Sequence, residues 1–218
     1  MQTIAERAAS LARLVEQLLL GSRAGADQLQ VSNGPFDLAG LLRGSAVAFR
    51  PLSDRHTLEL DVPDSLPEAH GDAMATDIII GQLLENAIKY SPDGGAVTVT
   101  ARADGEVIEV TVQDEGIGIP PADRERVFER FVQGDAGDRR RFGGIGLGLY
   151  IAMQLAQAQG GTIAADGRDG PGTTMRFCLR PASAVGTDAP ASDVAADVPA
   201  ADAPASDVAA DVPAGSAR

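Results

Sequence analysis

Three short stretches hold the side chains best suited to chemistry. In "QLLENAIKY" (82–90), Gln82, Asn86, Lys89 and Tyr90 recur at the spacing that puts them on one face of a helix, leaving Leu83, Leu84 and Ile88 for a core. Lys89 is the only lysine among eighteen basic residues. "VQDEGIGIP" combines Asp114 with Gly116 and Gly118. A carboxylate there can accept a hydrogen bond from an exocyclic amine, and the glycines let a purine approach the backbone; an ordinary Asp-Gly turn is the competing reading. "RFGGIGLGLYIAMQLAQAQGG" places Gly143, Gly144, Gly146 and Gly148 at the opening of a helix, where backbone amides and the helix dipole can hold phosphate. The alternative is a helix-start loop packed closely on a sheet.

Several phosphate-binding motifs do not fit these residues. A P-loop needs Gly-Lys-Ser/Thr, and the one lysine lies far from the glycines. The strand lysine and catalytic-loop signature of a protein kinase are missing. A dinucleotide fold would place the glycines after a strand, whereas here a loop precedes them.

The elements that must position these residues follow from periodicity. Ile4, Ala8, Leu11, Leu14, Val15, Leu18 and Leu19 predict a helix over 1–25 with a narrow apolar seam, ended by Gly21 and Gly25. A globular body is expected over 34–181. Asp37 caps a helix to about Arg50 with Leu38, Leu41, Leu42 and Val47 inward, and Asp72 caps a second helix to Tyr90. "HTLELDV" alternates like a strand, "AVTVTARADGEVIEVTVQD" like a hairpin, and "GTIAADG" and "GTTMRFCL" like two final strands. "PADRERVFERF" predicts a short helix, and another runs from about Ile145 to Gln159. The mixed order implies an α+β, two-layer α/β sandwich: a mixed sheet with helices on one face.

"TDAPASDVAADVPA" (187–200) is followed at once by the near-copy "ADAPASDVAADVPA" (201–214), with no aromatic residue, and the chain is expected to be a disordered tail over 182–218. The net charge of −13 argues against a nucleic-acid surface. Cys178, the single cysteine, excludes an internal disulfide and reads as a small core residue. No apolar run reaches the ~18 residues of a membrane helix and no secretion signal opens the chain, so a cytoplasmic location is expected.

Taken in order, the helix asparagine, Asp-x-Gly-x-Gly, Phe-x-x-Phe ("VFERF") and Gly-x-Gly-x-Gly resemble the ATP-binding catalytic domain of bacterial sensor histidine kinases, which shares its fold with gyrase, the heat-shock chaperone and mismatch-repair ATPases. The resemblance covers about residues 1–180, and the leading helix is similar to the second helix of the dimerisation and phosphotransfer hairpin. It implies that Asn86 ligates Mg²⁺ on the triphosphate of ATP and that Lys89 sits against the phosphates, with Tyr90 beside them. Asp114 would read the adenine amine with Gly116 and Gly118 lining the base, and Thr173 or Thr174 as companion. Gly144, Gly146, Leu147 and Gly148 would cradle phosphates under a lid of residues 132–143, which Phe128 and Phe131 either anchor or underlie as core aromatics.

Hydrolysing relatives carry a glutamate where this chain has Gln82; an amide cannot act as that base, and Glu85 lies about 100° from Asn86 around the helix. Transfer to a side chain is therefore expected over hydrolysis. Neither His56 nor His70 matches the family's phosphoacceptor pattern, and both read as surface histidines. The expected partners are a phosphoacceptor hairpin, a response regulator and a second copy through the N-terminal helix, as in the cytoplasmic part of a membrane-anchored sensor. Gln133 stands where a basic residue is frequent, and Arg139, Arg140 and Arg141 are substitutes. An anti-sigma-type serine kinase and a non-catalytic nucleotide-binding module are the alternatives.

Overall fold

The computed structural model describes residues 31–132, 145–168 and 170–185. The chain divides after Gly186, and every described residue belongs to the first unit. The helix expected over 1–25, Gly143, Gly144, Gln133, Arg139–Arg141 and the repeat lie outside the described residues.

Among the described residues, seven strands form one sheet: β1 (Gly34–Phe36), β2 (His56–Asp61), β3 (Ala69–Gly71), β4 (Gly95–Asp104), β5 (Val107–Gln113), β6 (Thr162–Asp166) and β7 (Thr174–Pro181). The order is β1-β3-β7-β5-β4-β2; β6 also pairs with β7, alongside its first half, where β3 takes the second. β2 and β4 run parallel and every other pair is antiparallel. The parallel pair is possible because β3 and a long helix intervene between those strands, giving the crossover that such pairing requires.

Three helices supply the second layer: α1 (Leu38–Phe49), α2 (Ala73–Lys89) and α3 (Gly148–Ala158). Asp37 caps α1 by accepting from the Gly40 N–H at 2.8 Å, and Asp72 caps α2 by accepting from Met74 and Ala75. Both caps sit where the sequence puts them, because a carboxylate satisfies first-turn amides that have no partner within the helix. In α1, Leu38, Leu42 and Ala46 are buried, but Val47 is 66% exposed, against expectation. It is one step, about 100°, beyond the buried Ala46 and so leaves the apolar stripe.

Strand alternation sorts the sheet into two faces. Val97, Val99 and Ala101, then Ile108, Val110 and Val112, then Met175, Phe177 and Leu179 are buried towards Ile79, Ile80, Leu83 and Leu84 of α2 and Ile151 and Leu155 of α3. The other face is polar: Thr100 and Thr111 share a hydrogen bond across β4 and β5, and Arg176 pairs with Asp166 at 2.7 Å. Cys178 falls on this open side of β7, opposite Thr162 and Glu109, and is not the core residue expected, since its neighbours Phe177 and Leu179 take the inner face. Burial pushes its thiol up all the same, as an inert cysteine requires.

One further expectation is corrected. "PADRERVFERF" forms two 3₁₀ turns, Pro121–Asp123 and Arg126–Phe128, in place of a continuous helix. Past β7, Ala182–Ala184 forms a 3₁₀ turn whose Ala182 N–H donates to the Glu68 carbonyl at 2.8 Å.

Candidate functional site

The C-terminal half of α2 presents Gln82, Asn86, Lys89 and Tyr90, all half-buried, while Leu83, Leu84 and Ala87 are buried. Lys89 lies with Nζ 4.8 Å over the Tyr90 ring. Tyr90 caps the helix, and its carbonyl receives the Ile117 N–H at 3.0 Å, which ties the loop leaving β5 to the end of α2. Gly116 is required at this junction: a Cβ there would stand 2.2 Å from the Tyr90 carbonyl oxygen.

Asp114 is the centre of the arrangement. It is 5% exposed, and its Oδ1 accepts from the Gly116 N–H at 2.9 Å and from the Thr173 N–H at 3.2 Å. Its own N–H donates to the Thr173 carbonyl, and Arg168 Nη1 donates to its carbonyl at 2.7 Å. Burial raises the carboxyl above its usual range, and it outweighs the Gly116 and Thr173 amides and the Arg168 charge, which act in the other direction. With Oδ1 engaged by two backbone donors, Oδ2 is the oxygen positioned to accept from a ligand.

Of the two threonines, Thr173 is buried beside Asp114, whereas Thr174 begins β7 on the polar face with Arg176 and Cys178. Gly118 packs on Gly172, so the loop 114–119 and the residues just before β7, 170–173, close on each other. At the start of α3, Leu147 takes the N-cap position and Gly148 lies against the Gln82 carboxamide, which brings the glycine segment to the polar face of α2. Gly146 has a φ of 73° and packs on the Val132 carbonyl, and its own carbonyl accepts from Phe131. The two phenylalanines divide: Phe128 is 6% exposed in the core, while Phe131 is 64% exposed and itself has a φ of 62°. A bulky residue in that left-handed region stores strain, a frequent property of functional segments. Gly144 lies outside the described residues.

Some residues at the site carry no motif. Arg168 stands in a short loop that nothing marks beforehand. Gln159, at the end of α3, accepts with Oε1 from the Asp72 N–H at 2.8 Å and the Thr76 hydroxyl at 3.1 Å, holding α2 and α3 together at the end opposite the Gln82–Gly148 contact. His56 is half-buried and not the surface residue expected; it bridges the Ser53 hydroxyl at 2.7 Å and the Ser91 carbonyl at 2.9 Å, bracing the turn after α2. Among the described residues no group of three or more His, Cys, Asp or Glu side chains could hold a metal ion by itself. No described helix is long and apolar enough to cross a membrane.

This fold and site define a nucleotide-binding ATPase domain. Residues 71–183 match the family model described as Histidine kinase-, DNA gyrase B-, and HSP90-like ATPase. The alginate biosynthesis sensor protein KinB of Pseudomonas aeruginosa is 35% identical over 181 residues, which cover 82% of this chain and 29% of that protein. Among solved structures, full-length ShkA in complex with AMPPNP superposes with a TM-score of 0.67 at 31% identity over 83% of this chain and 40% of that one. The mycobacterial sensor histidine kinase MprB gives 0.60 at 30% identity over 69% of this chain and 98% of that one. The chain belongs to this ATPase family, in its sensor histidine kinase branch. It spans between 17% and 29% of the length of the first curated relatives it matches.

Proposed function

We propose that this chain binds Mg-ATP and transfers the γ-phosphoryl group to a histidine presented by a helical hairpin, as the catalytic domain of a two-component sensor kinase whose product passes to a response regulator. The observation that carries the reading is Asp114: a buried carboxylate whose Oδ1 is saturated by backbone amides and whose other oxygen is left to meet an exocyclic amine. Family membership and a relative solved with AMPPNP support the nucleotide.

In this reading Asp114 accepts from the adenine amine, Thr173 holds the carboxylate in place, and Gly116 and Gly118 let the base lie on the backbone. Gly144, Gly146, Leu147 and Gly148 offer amides to the phosphates at the positive end of α3. Lys89, on a flexible stem, moves from the Tyr90 ring to the phosphates, a task for a compact ammonium more than for a guanidinium. The donor set fits Mg²⁺: one carboxamide oxygen, from Asn86, with phosphate and water oxygens suits a small hard cation, and no rival cluster of protein ligands exists among the described residues. A metal held there by Asn86 would supply positive charge to offset that of the phosphates.

Gln82 touches Gly148 at the phosphate end but has no basic form with which to activate water. The chain's contribution is then positioning and charge neutralisation, which suits transfer to an imidazole nitrogen over hydrolysis. Dimerisation through residues 1–25 and a membrane-anchored context belong to the same reading.

Calorimetric titration of ATP with and without Mg²⁺ tests it. Binding is expected in the unmodified chain, lost in Asp114→Asn and stripped of its Mg²⁺ dependence in Asn86→Ala. Label from γ-³²P-ATP is expected on a supplied hairpin of a sensor kinase and not on a hairpin whose histidine is replaced. An unmodified chain that fails to bind ATP would sink the proposal; one that binds but never labels the hairpin would leave a nucleotide-binding module.

A further inference from the structure

Arg168 is placed in a way that packing alone does not account for. It stands in the loop between β6 and β7, and its Nη1 donates to the Asp114 carbonyl at 2.7 Å, across 54 residues of sequence. Its Nε is buried and makes no hydrogen bond. A buried guanidinium N–H without an acceptor is costly, so the side chain is held there at the expense of its own solvation. What it gains is one bond and a fixed positive charge beside Asp114.

We infer that Arg168 is a positioning and selectivity residue of the base pocket, clamping the Asp114 peptide and keeping its carboxylate in the charged, acceptor-only form that an exocyclic amine needs. This rests on the nucleotide site proposed above. Among the described residues, the charged groups around Asp114 leave Arg168 without a substitute. Glu115, the next residue, turns to β4 and accepts from the Ala96 N–H at 3.0 Å. At the end of α2, Lys89 lies over the Tyr90 ring. On β6, Asp166 pairs with Arg176 on the open face. Arg124 packs its guanidinium on Gly167 and donates to the Ile119 carbonyl, bracing the same two loops without reaching Asp114. Among the described residues, Arg168 is the one that places a charge opposing the rise which burial imposes on the Asp114 carboxyl.

The chemistry follows from which oxygen is free. Oδ1 is taken by two amides, so a proton added to Asp114 goes to Oδ2 and turns the acceptor facing the base into a donor. An amine is then repelled, whereas a carbonyl at the same position of the ring is accepted. Arg168 thus guards both affinity for a 6-aminopurine and discrimination against a 6-oxopurine.

The test is calorimetry of the full chain with ATP and with GTP over a pH series from mildly acid to mildly alkaline, because a carboxyl raised by burial takes up its proton at a higher pH than a free one. Arg168→Met removes bond and charge, Arg168→Gln keeps a donor without charge, Arg168→Lys keeps the charge, and Arg124→Ala loosens the loops alone. For Arg168→Met and Arg168→Gln we expect a loss of ATP affinity on the order of tenfold at the acid end but about threefold or less at the alkaline end, with a falling ATP-to-GTP ratio as pH drops. Arg168→Lys restores most of the acid-end affinity, and Arg124→Ala gives a loss that does not vary with pH. Should Arg168→Met fail to fold, the Gln and Lys variants carry the comparison. A pH-independent loss, or none, in the uncharged variants overturns the inference while the nucleotide site stands. An unmodified chain that binds no ATP overturns both.

Discussion

Asp114 shows how one side chain can serve binding at the expense of stability. Its carboxyl is raised by burial, so the folded state holds a proton more readily than the unfolded chain. Stability from this group is present below the ordinary carboxylate range and is lost as pH rises through the raised value, which makes the ionised form a liability at neutral pH. Asp114→Asn keeps an oxygen for the Gly116 and Thr173 amides and removes that charge. The variant is expected to melt at the same temperature as the parent or higher at pH 7 while ATP binding disappears; scanning calorimetry beside an ATP titration checks both halves. A lower melting temperature would mean that the carboxylate is a net stabiliser. Gly116 has no such latitude, because the Tyr90 carbonyl occupies the space of any side chain.

The helices are tied by polar bonds at their ends more than their apolar stripes suggest. Gln159 supplies one oxygen to both the Asp72 N–H and the buried Thr76 hydroxyl. Gln159→Leu fits the volume but strands two donors, and a loss of about 2 kcal/mol is expected in urea denaturation. Asp72 behaves differently from Asp114. Burial works to raise its carboxyl, yet the amides of Ala75, Ser32 and Met74 together hold it below its usual range. Its contribution is therefore present above the ordinary carboxylate range and lost as pH falls through the lowered value. Asp72→Ala is expected to cost about 1 kcal/mol at neutral pH, with the deficit shrinking in acid. Melting temperatures measured down a pH series read this directly; a constant deficit would locate the effect in packing and not in the cap.

The whole body rests on one apolar layer between sheet and helices. Phe177, fully buried on β7, lies in the strand that joins β5 to β6 and β3, so its loss is felt on both sides. Phe177→Ala is expected to destabilise the domain by about 3–5 kcal/mol, most of the stability of an ordinary small domain. Denaturant melts would show this, and loss of less than about 1 kcal/mol would mean that the core refills the cavity. The opposite face of the sheet is mostly polar and adds little to this balance, since exposed ion pairs such as Arg176–Asp166 contribute weakly.

The sequence by itself determined the elements and much of the site, because those signals are local. Alternation marked β4, β5 and β7 as strands, the carboxylates of Asp37 and Asp72 marked two helix starts, and helical spacing put Gln82, Asn86, Lys89 and Tyr90 on one face. Where local signals misled, a neighbouring segment had decided otherwise: Val47 and Cys178 turned outward because adjacent residues filled the core, and the Phe128 segment settled into 3₁₀ turns. Only the tertiary structure chose Thr173 over Thr174 at Asp114, brought Arg168 to that carbonyl across 54 residues and joined Gln159 to Asp72 across 87. Contacts of that range leave no periodicity in a single chain. They arise when buried polar groups must find partners, and which partner is near depends on how the sheet and helices close over the core.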